Sequence, residues 1–189
     1  MCSSDLLYAM IDSALRYAQG DSVDTHRDDM AAMYAAFSEV ASRNPDAWVR
    51  EPVTRSFIRN ASSKNRMLAF PYTKLHNSQW NVDQAGALLF CSVAKAREWG
   101  IPEAQWIYPQ AAVESNFVSV VSAREDLHRS QGFAVAGKRA LELAHKAPED
   151  VHFMELYSCF PSAVRVQLAE MGLDASLPLT DRKSTRLNS

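Results

Sequence analysis

Several things that would assign a function at once are missing from this chain. It has three cysteines (Cys2, Cys91 and Cys159), and they share no C-x-x-C or Cys/His ligand spacing. This excludes a disulfide framework and a structural zinc site, so no metal is expected, and it suits a reducing, cytoplasmic setting. No apolar run approaches the roughly 20 residues needed to cross a bilayer. The opening residues MCSSDLLYAM contain no basic stretch of the kind that begins a secretory signal. Charge of one sign is also missing. Twenty Lys and Arg stand against 22 Asp and Glu, a net of −2, which gives no electrostatic case for a nucleic-acid or membrane partner. Internal repeats and low-complexity stretches are absent.

What is there is the composition of a folded domain: of 189 residues, 47% are hydrophobic and 22% charged. The spacing predicts a helix over Leu6 to Gln19, with Leu7, Met10, Ile11, Ala14 and Ala18 on one face and Gly20 placed to stop it. A second helix is expected over Asp24 to Ser42, with Met30, Met33, Phe37 and Val40 at 3–4 spacing and Asn44-Pro45 ending it. Val49 to Arg66 is polar and interrupted by Pro52, and reads as loop with one short helix.

After Pro71 the character changes. Asp83 to Ser92 is a nearly unbroken apolar run that suits a strand buried on both faces. It leads into a helix over Val93 to Trp99, although periodicity alone equally permits one continuous helix from Val82 to Trp99. Gln105 to Val113 reads as a strand, Phe133 to Lys146 as an amphipathic helix bearing Val135, Leu141 and Leu143, and Val151 to Leu156 as a strand. Pro161 to Met171 reads as a helix with proline tolerated in its first turn. Alternation of this kind predicts an α/β layered fold behind an N-terminal helical region.

The segment VHFMELYSCFPSAV, residues 151 to 164, carries the clearest chemical signal. It presents a phenol, a hydroxyl and a thiol (Tyr157, Ser158, Cys159) on one turn immediately before a helix. That is where functional groups of α/β sheets collect. On composition alone the same residues read first as an interfacial tyrosine, a serine helix cap and a buried cysteine. His26, His128, His145 and His152 share no spacing and read as solvated or capping. Trp48, Trp80, Trp99 and Trp106 read as scattered packing.

The Tyr157-Ser158-Cys159-Phe160 turn, preceded by Glu155-Leu156, resembles the second-half motif of the thiolase superfamily. That motif reads Asn-Glu-Ala-Phe in classical thiolases and His-Asp-Cys-Phe in the sterol-carrier-protein type. GKRALELAHKAPEDVHFMEL resembles the helix-turn-strand that leads into it. KLHNSQWNVDQAGALLFCSVAKAREWGI resembles the stretch that closes the first thiolase half, with Asn77 and Asp83 on the family's Asn and Asp positions. Tyr-Ser-Cys-Phe followed by Pro-Ser-Ala-Val is most similar to a divergent branch usually labelled acetyl-CoA acetyltransferase.

The resemblance implies a layered αβαβα thiolase-like fold, incomplete here. Residues 1–70 would be a helical cap or loop region, 71–103 the end of the first half, and 104–180 the start of the second. The final residues 181–189 resemble a translated sequencing adapter and are set apart. Also implied is acyl transfer, or Claisen-type thiolysis and condensation, on coenzyme A thioesters, with CoA as substrate and no separate cofactor. The family's reactive cysteine and its Gly-His-Pro histidine are not found in this chain, and the low glycine count of six fits the absence of its glycine-rich loops. The chain alone is therefore expected to be inactive.

By the same resemblance Tyr157 takes the position that holds the oxyanion water, where it would hold that water, donate to the oxyanion directly, or serve the scaffold. Ser158 reads as a cap and Cys159 as packing rather than nucleophile. His76, Asn77, Ser78 and Gln79 correspond to a loop beside the CoA pantetheine arm. The implied partners are acyl-CoA and a second copy of the full-length protein. Two alternatives stand beside acyl transfer: a thiolase-like aldolase that cleaves CoA esters with a small OB-fold partner, and a non-catalytic CoA-binding subunit.

Overall fold

The computed structural model describes residues 3–78 and 85–175. Six α-helices order the described chain: α1 (Ser3–Gln19), α2 (Val23–Arg43), α3 (Arg55–Arg59), α4 (Val93–Glu98), α5 (Gln131–Ala144) and α6 (Pro161–Met171). The signals at their ends are local. Gly20 follows α1 at φ 73°, a left-handed conformation that glycine adopts without penalty. The Ser22 hydroxyl accepts from the Thr25 amide at 3.1 Å and caps α2. Pro161 opens α6 where its missing N–H costs nothing, and Gly172 closes it at φ 63°.

The core lies where α6 meets α1 and α2. Ala31, Tyr34, Phe37 and Ile58 pack against Met154, Leu156, Val164 and Leu168. A second cluster joins Ala9, Met30, Ala69, Tyr72 and Phe160, and a third joins Ile11, Leu15 and Val166. Each fully buried large side chain contributes about 1.5–3 kcal/mol. α3 is held on α2 by Arg59, which donates to Asp24 and Asp28 at 2.6 Å each. Asn65 is fully buried; its amide donates to the carbonyls of Phe57, Ile58 and Asn60, and its oxygen accepts from the Leu75 amide. That one side chain fastens the polar stretch after α3 to the turn at residues 74–76.

The expected α/β layering is overturned. Among the described residues there is no strand, only an isolated antiparallel bridge between Met67 and Thr73. The runs read as strands over Asp83 to Ser92 (described from residue 85), Gln105 to Val113 and Val151 to Leu156 form no ladder. The physical reason is that an apolar run records what a segment tends to bury, whereas a strand also needs a neighbour to exchange backbone hydrogen bonds. Leu88, Leu89 and Phe90 are 84%, 67% and 75% exposed, and Ile107 is 87% exposed. The continuous helix from Val82 is not seen either, because the Ser92 hydroxyl caps α4 and starts it at Val93.

The five longer helices fall where periodicity placed them, but their buried faces differ from the apolar stripes. On α1, Leu7 and Met10 are exposed, whereas Asp5, Ala9, Ile11, Asp12 and Leu15 are buried. On α2 the buried stripe is His26, Met30, Ala31, Tyr34, Phe37, Ser38 and Ala41. α5 buries no residue completely. It approaches α6 through Gly137, where a Cβ would lie 2.5 Å from Met171 Cγ.

Candidate functional site

The turn at residues 157–160 lies between the core and solvent, at the start of α6. Phe160 is the N-cap residue of α6 and is buried, whereas Tyr157 is 55% exposed. Ser158 therefore does not cap the helix. The backbone of the turn is held from three directions. Gln167, one and a half turns into α6, accepts from the Tyr157 amide at 3.2 Å and donates to the Tyr157 carbonyl at 2.7 Å. The Tyr34 hydroxyl on α2 donates to the Ser158 carbonyl at 3.2 Å. The Ser78 amide donates to the Cys159 carbonyl at 3.2 Å.

The side chains of the turn meet α1. The Tyr8 ring stacks on Phe160, with centroids 4.2 Å apart and planes 18° from parallel. Burial, then the thiol of Cys159 and the phenol of Tyr157, push the Tyr8 pKa well up, so its hydroxyl keeps its proton. Tyr34 is likewise held protonated, by burial first and then by Cys159 and Asp12.

Behind the turn lies a buried polar network that periodicity did not disclose. Asp12 accepts from His26 Nε2 at 2.9 Å with its Oδ1 and from the Tyr72 hydroxyl with its Oδ2. The Tyr72 hydroxyl also lies 3.1 Å from Ser162 Oγ and 3.0 Å from the Tyr8 carbonyl. Arg165 reaches His26 Nδ1 at 2.8 Å and Gln19 at 2.6 Å, tying α6 to α1 and α2. His26 is 1% exposed, which corrects its reading as solvated or capping. His145, by contrast, is exposed in the left-handed cap position of α5. The usable signal for His26 was its position four residues before Met30, on the buried stripe of α2.

Of the residues expected beside CoA, the structure brings the loop and the motif turn together through Ser78 but turns His76 inward. His76 lies 5.5 Å from the Tyr34 ring and 6.2 Å from the Tyr72 ring, centroid to centroid. Its Nδ1 accepts from the Thr73 amide at 3.1 Å, which leaves the proton on Nε2, and that buried atom has no hydrogen-bond partner. Burial, and then the nearby Arg27, lower its pKa to about 4, so the ring is neutral near pH 7. Asn77 is half-buried, and its amide donates to Asp5 at 2.8 Å. Gln79 and Asp83 lie outside the described residues. Among the described residues no group of His, Cys, Asp and Glu could hold a metal ion, and no helix is long and apolar enough to cross a membrane.

Residues 114–176, which include the motif turn and α6, match the family described as thiolase C-terminal domain-like. Across 97% of the chain the fold superposes on a monomeric SCP2-thiolase-like protein type 1 from Mycobacterium smegmatis, with 30% identity and a TM-score of 0.79. The kinship is with the thiolase superfamily, in its SCP2-thiolase-like branch. A second likeness, to the Ltp2-ChsH2(DUF35) aldolase, has a TM-score of 0.66 over 88% of the chain at 20% identity, and concerns the fold alone. This thiolase-like chain spans 41% of the length of the first structure and 42% of the second. The first is described as monomeric.

Proposed function

We propose that this thiolase-like chain supplies the motif turn of a protein acting on coenzyme A thioesters, and that its chemistry is aldol-type cleavage of a carbon–carbon bond in a CoA ester. The observation that carries this reading is Tyr157, a half-exposed phenol at the motif turn with its backbone clamped by Gln167. In a retro-aldol step a base removes the proton of a β-hydroxyl. The bond between the α and β carbons breaks, the β carbon leaves as a carbonyl, and the α carbon, stabilised as a thioester enolate, takes up a proton. A phenol serves either as that base, once ionised, or as the donor to the enolate oxygen. The likeness to the aldolase whose name includes DUF35 adds support, together with the OB-fold partner such an enzyme would use.

Acyl transfer is the second reading, favoured by the branch label of the motif. It requires a thiolate nucleophile. Cys159 is ill suited to that role, because it is half-buried and packed against the second core cluster.

The test is made on the full-length open reading frame with its OB-fold partner. One assay supplies a β-hydroxyacyl-CoA and the other a β-ketoacyl-CoA with free CoA. Cleavage of the hydroxy ester is expected, with turnover falling about a hundredfold in Tyr157→Phe, the scale of losing one oxyanion donor. The melting temperature is expected to hold. Thiolysis without hydroxy-ester cleavage would return the assignment to acyl transfer. Full turnover in Tyr157→Phe would assign the phenol to the scaffold.

A further inference from the structure

We infer that the cleft where α1, the start of α2 and Phe70 meet is a phosphate-binding site, in which Arg16 and Arg27 hold the ligand. The cleft has a volume of about 210 Å³, its open side included, and its wall includes Asp12, Arg16, Val23, His26, Arg27 and Phe70. Each guanidinium is held at one nitrogen by a neutral partner. Arg16 Nη1 donates to the Asp21 carbonyl at 2.8 Å, and Arg27 Nη2 donates to the Arg59 carbonyl at 2.9 Å. The Arg27 guanidinium carbon also lies 5.7 Å from the centre of the Phe70 ring. Among the described residues neither arginine pairs with a carboxylate, whereas Arg59, Arg129 and Arg165 each have one within 4.0 Å. A guanidinium carries five N–H donors in a planar fork that matches the oxygens of a phosphate. Both arginines therefore keep donors to offer, and two uncompensated positive charges on one cleft match the double charge of a phosphate group. Asp12 is the opposing charge, and it is already engaged. Its Oδ1 accepts from His26 and its Oδ2 from Tyr72, and Arg165 lies 4.0 Å from it. Val23 and Phe70, both exposed, give the cleft an apolar lip on which an organic group carried by the phosphate can lie. No residue of the turn at 157–160 lines the cleft, so the site does not depend on the reading of Tyr157.

Isothermal titration calorimetry of the 189-residue chain at low ionic strength tests this with two probes, inorganic phosphate and phenyl phosphate. At about pH 8 both are mainly dianions. Each is expected to bind, and Arg16→Gln is expected to weaken binding about tenfold, the effect of losing one charge-assisted hydrogen bond. Arg27→Lys keeps the charge but loses the fork. It is expected to weaken binding about tenfold as well, and decides the matter should Arg16→Gln fail to fold. Arg139→Gln, at an exposed position of α5, is expected to bind as the unsubstituted chain does. Tighter binding of phenyl phosphate supports a phosphate ester as the ligand, and equal binding supports free phosphate; both uphold the site. Three results overturn it. One is no binding of either probe up to about 10 mM. Another is a change of less than about twofold in both Arg16→Gln and Arg27→Lys. The third is an equal loss in Arg139→Gln, which would show attraction to the surface at large.

Discussion

Residues 3–78 together with 154–171 form one region of the molecule, and residues 85–153 form another. In the first, Tyr34, Tyr72, Val164 and Asp12 are fully or almost fully removed from solvent. In the second, Ala96 is the one residue buried to that degree among those described, while Leu88, Phe90, Ile107, Val118 and Phe153 face solvent. The difference shows that the motif turn owes its position to residues far from it in sequence. Tyr8, Tyr34 and Ser78 reach it from elements between about 80 and 150 residues upstream, whereas its immediate predecessors at 151–153 contribute little burial.

If that contrast is right, the strongest way to break it lies at Asp12. Asp12→Ala leaves the Tyr72 hydroxyl and His26 without their shared acceptor in a buried setting, and Arg165 without the carboxylate 4.0 Å from it. A loss of about 3–5 kcal/mol is expected, the range for breaking a buried charged pair from one side. The urea midpoint of the purified chain measures it. A loss below about 1 kcal/mol would mean that the first region does not depend on this network.

A sharper and smaller effect comes from His76. Its pKa in the folded chain is about 4, below the ordinary value near 6.5, so as pH falls the unfolded chain takes up the proton first. Stability from this group is complete above pH 6.5 and declines toward pH 4. Between pH 7 and pH 5 the loss amounts to about 2 kcal/mol, and it should vanish in His76→Gln relative to the unsubstituted chain. Equal pH dependence in both proteins would show that His76 does not titrate as a buried neutral group. Smallest of all is Leu88→Ser. At 84% exposure it should change stability by less than about 0.5 kcal/mol, as surface substitutions do. A larger loss would show that the second region is packed in solution.

The helices were legible in the sequence because their signals are local: Gly20, Asn44-Pro45 and Pro161 each act within one turn. The buried faces were less so. On α1 the inward positions hold Asp5 and Asp12, which hydropathy places outside, and only the partners Asn77, Tyr72 and His26 make those positions affordable. The strands were misread for the opposite reason, since hydropathy places Leu88 and Ile107 inside and no strand among the described residues is there to meet them. At the site, the Tyr157-Ser158-Cys159-Phe160 turn stood out as a motif. Tyr8 did not, because an aromatic residue on a helix bears no local mark of the chain segment it will touch 150 residues later.

Gln167 gives the turn something that no sheet provides here. Its amide accepts from the N–H of Tyr157 and donates to the C=O of the same residue, the pair of bonds an adjacent strand would otherwise exchange with that one residue. A helix side chain thus stands in for a sheet neighbour at a single position, and a second bond to the Ala163 carbonyl fixes it to its own helix. The placement of Tyr157 therefore travels with α6 as a unit, because the bonds that hold its backbone come from a side chain of that helix.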